Sequence, residues 1–169
     1  MKLYLVAFGR MKTPGLAESA DYYRKLLRSL VTTGGGGIEE VELKPLTVPD
    51  KSSATRAHIQ EKEAALLEEK LGALLGGRGA YYLLDEAGKP RSTLQWAELV
   101  RDWESASLPE IALCVGSSLG FSDRVRKKAR GLLSLGPQTL PHELARVVLL
   151  EQVYRAFSVT RGHPYHVQG

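Results

Sequence analysis

Gly116-Ser117-Ser118-Leu119-Gly120 directly follows the apolar run Ile111-Ala112-Leu113-Cys114-Val115 and precedes a basic stretch. A glycine turn at the carboxyl end of a buried strand is where α/β proteins take ligands. The pentapeptide suits two different chemistries. Read as G-x-S-x-G, it offers Ser118 as a nucleophile on a tight strand-to-helix turn. Asp123, Glu143 or Glu151 would then orient His163 or His166 as the base. Read as a cofactor loop, its glycines let backbone approach a ligand that a Cβ would hold off. The hydrolase reading lacks an oxyanion segment, because the Gly34-Gly35-Gly36-Gly37 run has no preceding histidine.

His163-Pro164-Tyr165-His166 is the second group with chemical potential. A metal pair is not expected there. Pro164 breaks any helix that would carry both imidazoles, and no carboxylate or thiol cluster completes a shell. A titratable His and a Tyr held near a reaction centre by an ordered tail is the functional reading. Cys114, the only cysteine, excludes an internal disulfide and a thiolate zinc site, and it reads as a small core residue. Glu151 and Arg155 stand four apart, as an intrahelical ion pair does. Arg124, Arg126, Lys127, Lys128 and Arg130 form a basic run that suits either a solvated helix or an RNA- or phosphate-contacting surface. Gly9 to Gly15 matches neither dinucleotide nor nucleoside-triphosphate loops.

These groups must be held by alternating elements. Lys2–Phe8 is rich in β-formers and reads as a strand, followed by a loop to Gly15 and a helix over Leu16–Leu30. Gly34–Gly37 is a loop tip, and Ile38–Leu43 is an edge strand kept soluble by Glu39, Glu40 and Glu42. Ser53 to Leu75 is a helix with Ala64, Ala65, Leu66, Leu67, Leu71 and Leu74 on its apolar side, ended by Gly76-Gly77. Ala80–Leu84 is a buried strand, closed by the turn Asp85 to Pro90. Ser92 caps a helix from Thr93 to about Glu104. Glu110–Val115 is the strand before the glycine turn, and Ser122 caps the basic helix. Leu132–Leu135 is a short apolar run. The last helix starts around Thr139 and Pro141 and runs to about Ser158. Its apolar residues Leu144, Val147, Val148, Val153, Tyr154 and Phe157 spread widely, which suits a core on one side and a partner subunit on the other.

The chain of 169 residues can bury one core, and its 43% hydrophobic and 25% charged residues are ordinary for a globular protein. The expectation is a single α/β domain over residues 1–169, with a mostly parallel sheet and helices on both faces. No apolar run is long enough to span a membrane. The first residues read as a strand and not as a signal peptide, so a cytoplasmic protein is expected. A net charge of +4 allows an anionic partner without requiring one. The sequence contains no asparagine, as heat-adapted proteins shed thermolabile amides.

Four segments carry a resemblance: Leu113–Gly120, Thr139-Leu140-Pro141-His142, Val153-Tyr154-Arg155-Ala156-Phe157-Ser158 and His163-Pro164-Tyr165-His166. Their order and spacing resemble the ribosomal large-subunit methyltransferase H family, small members of the SPOUT superfamily. Met1-Lys2-Leu3, Leu84-Asp85 and Gly88-Lys89 agree, so the resemblance covers nearly the whole chain. It implies a C-terminal trefoil knot, an obligate homodimer, and methyl transfer from S-adenosylmethionine to N3 of a pseudouridine in 23S rRNA of the large ribosomal subunit. It places the cofactor at Leu84, at Gly116, Ser117 and Gly120, and at Gly136, Pro137, Gln138, Thr139, Leu140 and Pro141. No metal is implied. Ser117 is a departure, since the family has a second glycine there.

For the reaction, the N3–H of a uracil-type ring is a weak acid that must lose its proton. His166 with Tyr165 is expected to contact the base and assist that loss. Arg155 would stabilise the anionic imide or bind a phosphate, and Glu151 would hold Arg155. His142 suits either the cofactor or a helix cap. A short tail that must reach a pocket can complete the site of the other subunit. Two rivals differ in class: a Ser118 hydrolase, and a non-catalytic RNA-binding protein.

Overall fold

The computed structural model describes residues 1–31 and 36–163. Ten elements alternate along the chain: β1 (Lys2–Phe8), α1 (Pro14–Val31), β2 (Gly37–Leu43), α2 (Ser53–Leu75), β3 (Ala80–Pro90), α3 (Thr93–Ser105), β4 (Glu110–Val115), α4 (Asp123–Lys128), β5 (Gly131–Ser134) and α5 (His142–Thr160). The five strands form one parallel sheet in the order β2-β1-β4-β3-β5.

Both faces of this sheet are buried, and strand alternation divides the core in two. Leu3, Leu5 and Ala7 of β1 point with Ile111, Leu113 and Val115 of β4 toward α1, α3 and α5. Tyr4, Val6 and Phe8 point with Ala112 and Cys114 toward α2 and α4. Cys114 is fully buried, and that burial pushes its thiol pKa up. The α/β architecture expected from the sequence is thus observed.

Local signals set most boundaries. Ser52 accepts the Thr55 N–H at the start of α2, and Gly76 closes the helix at φ +51°. Ser92 and Gln95 form a reciprocal capping box on α3.

Several expectations need correction. Ala65 and Leu66 of α2 face solvent, and Ile59 and Glu63 take their places in the buried stripe with Ala64, Leu67, Leu71 and Leu75. Residues 85–90 are not a simple closing turn. The β3–β5 pairing shifts register between Leu84 and Lys89 and then resumes at Lys89 and Pro90. Gly88 lies so close to β5 that a Cβ there would sit 2.6 Å from the Leu133 carbonyl carbon. Ser122 stands at the start of α4 but its hydroxyl is buried and makes no cap bond. The last helix begins at His142, because the segment before it has another path.

That path fixes the site. From β5 at one edge, residues 135–141 run past the ends of β3 and β4, and the His142 ring comes to rest against Gly9 at the end of β1. Helix α5 then packs between α1 and α3. This route is consistent with the knot that the resemblance implies. No helix among the described residues is long and apolar enough to cross a membrane.

Candidate functional site

Three turns, one at the register break within β3 and one each after β4 and β5, enclose a cavity of about 800 Å³. That size suits a nucleoside-bearing ligand. All ten positions singled out from the sequence line it: Leu84 at the register break within β3, Gly116, Ser117 and Gly120 after β4, and Gly136, Pro137, Gln138, Thr139, Leu140 and Pro141 after β5. Val115, Phe121, Leu135 and Ala145 add apolar wall, while Arg56, Arg126, Asp85, Glu86 and His142 bring charge or hydrogen-bonding groups.

The turns are built by backbone geometry. Gly120 has φ +67° and Gly136 has φ +129°, conformations that L side chains rarely adopt. Around each, a Cβ would find room, so it is the dihedral and not crowding that selects glycine. Ser134 starts the third turn by donating its hydroxyl to the Gly136 carbonyl at 3.0 Å and accepting the Gly136 N–H at 3.1 Å. The first turn is held by Asp85, which accepts the Ala87 N–H at 2.9 Å and the Arg126 Nε–H at 2.9 Å.

The donor set fits S-adenosylmethionine. Aliphatic side chains suit an adenine face, backbone groups of the turns suit its ring nitrogens, and Arg56 suits an α-carboxylate. Among the described residues, no cluster of three or more His, Cys, Asp or Glu side chains is placed to hold a metal.

The other predicted residues lie elsewhere. Arg155 donates from Nε to Glu151 Oε1 at 2.9 Å, so the expected ion pair is present, half-buried on α5. Neither residue lines the cavity of its own chain. Tyr165 and His166 lie outside the described residues, as do Pro164 and part of the Gly34–Gly37 turn. Ser118 is exposed, with no hydrogen bond to a histidine among the described residues. The chain does not enter a helix until Asp123, so the sharp elbow of a serine hydrolase is absent from this turn.

The basic run is largely answered by carboxylates. Arg124 pairs with Glu61 and Glu68, Arg126 with Asp85 and Asp123, and Lys128 with Glu68. Helix α4 ends at Lys128 and leaves Lys127 and Arg130 as exposed cations. Lys127 and Arg130 are thus the cations of the run with no carboxylate partner among the described residues.

Sequence reasoning missed Glu63, Gln60 and Arg146. Glu63 and Ser117 are joined at 2.6 Å, and Gln60 donates to the carbonyls of Leu119 and Phe121. Arg146 is fully buried on α5 and pairs with Glu40 and Glu42 of β2. Two of the three glutamates read as solubilising an edge strand, Glu40 and Glu42, are in fact its counterions, while Glu39 pairs with Lys2. A charged residue inside an apolar stripe was the available signal.

Comparison with known proteins agrees with this arrangement. Residues 1–166 match a family model described as a predicted SPOUT methyltransferase. The chain is 35% identical over 167 residues to a ribosomal RNA large subunit methyltransferase H of Streptococcus equi subsp. zooepidemicus, covering 98% of this chain and 99% of that protein. It is 36% identical over 168 residues to the protein of the same name in Methylobacterium nodulans, covering 98% of both. Among solved structures, it resembles a probable methylase family protein from Haemophilus influenzae, with TM-score 0.53 and 10% identity over 97% of this chain and 70% of that one. A probable methyltransferase from Bordetella pertussis gives TM-score 0.50 and 16% identity, over 92% and 96% of the two chains. At such identities the structures bear on the fold alone.

Proposed function

This chain belongs to the ribosomal RNA large subunit methyltransferase H family of SPOUT methyltransferases, and from that premise we infer how its own residues carry the reaction. It is an S-adenosylmethionine-dependent ribosomal RNA methyltransferase. The acceptor we propose is N3 of a pseudouridine in 23S rRNA, within the large ribosomal subunit. Residues 1–169 act as one domain, in a cytoplasmic homodimer. The observation that carries the reading is the convergence of the break within β3 and the turns after β4 and β5 on one cavity.

When bound there, S-adenosylmethionine supplies a sulfonium methyl, an electrophile that needs alignment more than activation. Leu84, Gly116, Ser117, Gly120 and the 136–141 segment hold the nucleoside. His142 faces the same space from the start of α5. On the acceptor side, His166 and Tyr165 contact the base and take the N3 proton away from it. Arg155 balances the imide anion or an adjacent phosphate, and Glu151 fixes the guanidinium for that task. Because Glu151 and Arg155 do not line their own cavity, the reading favours an active site completed by the second subunit of the homodimer.

Methyl transfer from labelled donor to 70S ribosomes, compared with free 23S rRNA, tests this function. His166→Ala is expected to bind S-adenosylmethionine normally in a calorimetric titration and to lose transfer. Unchanged turnover removes His166 from the chemistry, and no donor uptake by the wild type removes the cavity reading. A fluorophosphonate label on Ser118 would instead support a hydrolase.

A further inference from the structure

The glycine turn after β4 is held from behind by one face of α2. Glu63 is only 3% exposed although it is charged. Its Oε2 accepts the Ser117 hydroxyl at 2.6 Å, and its Oε1 accepts the Leu46 N–H at 2.9 Å. One turn earlier on the same helix, Gln60 Nε2 donates to the carbonyls of Leu119 at 2.8 Å and Phe121 at 3.1 Å. The Ser117 oxygen also accepts the Leu119 N–H at 3.2 Å. Gln60 and Glu63 are three residues apart, so both reach the turn from one side of the helix.

These contacts have a cost that demands a return. A carboxylate taken out of water must be matched by donors, and among the described residues two hydrogen bonds to it are made. A glycine at 117 would strip one of them. The serine and the buried glutamate therefore belong to the same device. Its effect is on backbone placement: with 117, 119 and 121 tied to α2, the remaining edges of the turn are left for the cavity that Gly116 to Gly120 line.

We propose that Glu63 and Gln60 are positioning residues for the methyl donor, acting through Ser117 and the 119–121 carbonyls to preorganise the glycine turn. The inference rests on the cavity being the donor site. Glu63 and Gln60 do not line it, so they act on the ligand only through the loop.

The test uses the full-length protein and S-adenosylmethionine itself. Calorimetric affinity is measured for wild type, Gln60→Ala, Glu63→Ala, Ser117→Ala and the Glu63→Ala/Ser117→Ala double variant. Each single variant is expected to bind the donor roughly fivefold to tenfold more weakly, the scale of one or two lost hydrogen bonds. The double variant should bind no more than about twofold more weakly than Glu63→Ala, because both changes break one link. With ribosomes as acceptor, Gln60→Ala and Glu63→Ala should raise the donor KM and keep kcat at saturating donor within about twofold, which general unfolding would not do. Should Glu63→Ala fail to fold, Gln60→Ala and Ser117→Ala decide the matter. Donor affinities within about twofold of wild type for those two, or fully additive losses in the double variant, overturn the proposal. A wild-type protein that takes up no donor overturns the cavity reading, and this inference with it.

Discussion

Arg146 Nη2 lies 2.8 Å from Glu42 Oε1, joining the last helix to the edge strand across 104 positions of sequence. The same guanidinium donates to Glu40 and, from Nη1, to the Gly9 carbonyl at 3.1 Å. Glu42 also accepts the Met11 N–H at 2.9 Å, while Glu143 accepts the N–H groups of Lys12 and Thr13. The loop after β1 is thereby locked against the start of α5. Since the His142 ring rests on Gly9, the lock also fixes one end of the 136–141 wall.

Arg146→Ala should be severely destabilising. It strips the buried cation from Glu40 and Glu42, leaving Arg24 on Glu40 alone, and breaking a buried pair in this way costs about 3–5 kcal/mol. A chain of this length should lose on the order of 10 °C in Tm. Thermal unfolding followed by circular dichroism checks it. A Tm within about 2 °C of wild type would mean that the pair contributes little.

Acid stability should depend on the same lock. Burial alone would raise the Glu42 pKa, but hydrogen bonds from Arg146 and the Met11 amide outweigh it and hold the carboxyl below its usual value. Glu143 is held low by the Thr13 amide, with Lys12 adding to it. A depressed folded pKa adds stability that is complete above the unfolded value of about 4.3 and is lost as pH falls through the folded one. Stability should thus fall below about pH 4.3, and Glu42→Gln should flatten that fall in urea titrations from pH 6 to pH 3. Parallel pH curves for the two proteins would contradict the assignment.

Two glycine substitutions should have opposite signs. Gly136 at φ +129° needs a backbone that other residues resist, so Gly136→Ala should cost about 1–2 kcal/mol and weaken S-adenosylmethionine binding. Gly72 sits inside α2, where a Cβ would meet nothing within 4 Å. Gly72→Ala should stabilise by about 0.5–1 kcal/mol and leave donor binding as it is. Chemical denaturation and calorimetry on the pair separate these outcomes.

The contrast marks what a sequence can disclose. Strands β1 and β4 were legible to the residue, because runs buried on both faces and bounded by turns leave little choice. The cavity turns were legible because Gly120 and Gly136 announce unusual backbone. Partners distant in sequence were not. Glu40, Glu42 and Glu63 carry no local sign of the Arg146 and Ser117 they meet, since tertiary pairing and not periodicity brings them together. The ion pairs of the basic run were hidden for the same reason, as most of its counterions lie on α2 and in β3.

RNA affinity should respond to Lys127 and Arg130 more than to their basic neighbours. Lys127→Glu/Arg130→Glu should weaken ribosome binding and shallow its salt dependence, since both cations are exposed. Arg124→Gln/Lys128→Gln removes charges already answered by Glu61 and Glu68, so its effect on binding should be smaller. Filter binding at several salt concentrations compares the two. An equal loss in both variants would return the whole helix to the RNA surface.

Complementation should reveal which subunit supplies the tail. His166→Ala keeps a donor cavity but lacks the proposed base, whereas Gly136→Val keeps the tail and spoils the cavity turn at φ +129°. Neither homodimer should transfer methyl groups. If the tail crosses to its partner, a mixed dimer pairs an intact cavity with an intact tail at one of its two sites. Co-expressed, differently tagged chains purified through both tags should then regain up to about half of wild-type kcat with labelled donor, as one competent site in two requires. Arg155, which does not line its own cavity, should behave as His166 does in the same assay. A mixed dimer as inactive as its parents would place tail, arginine and donor within a single chain.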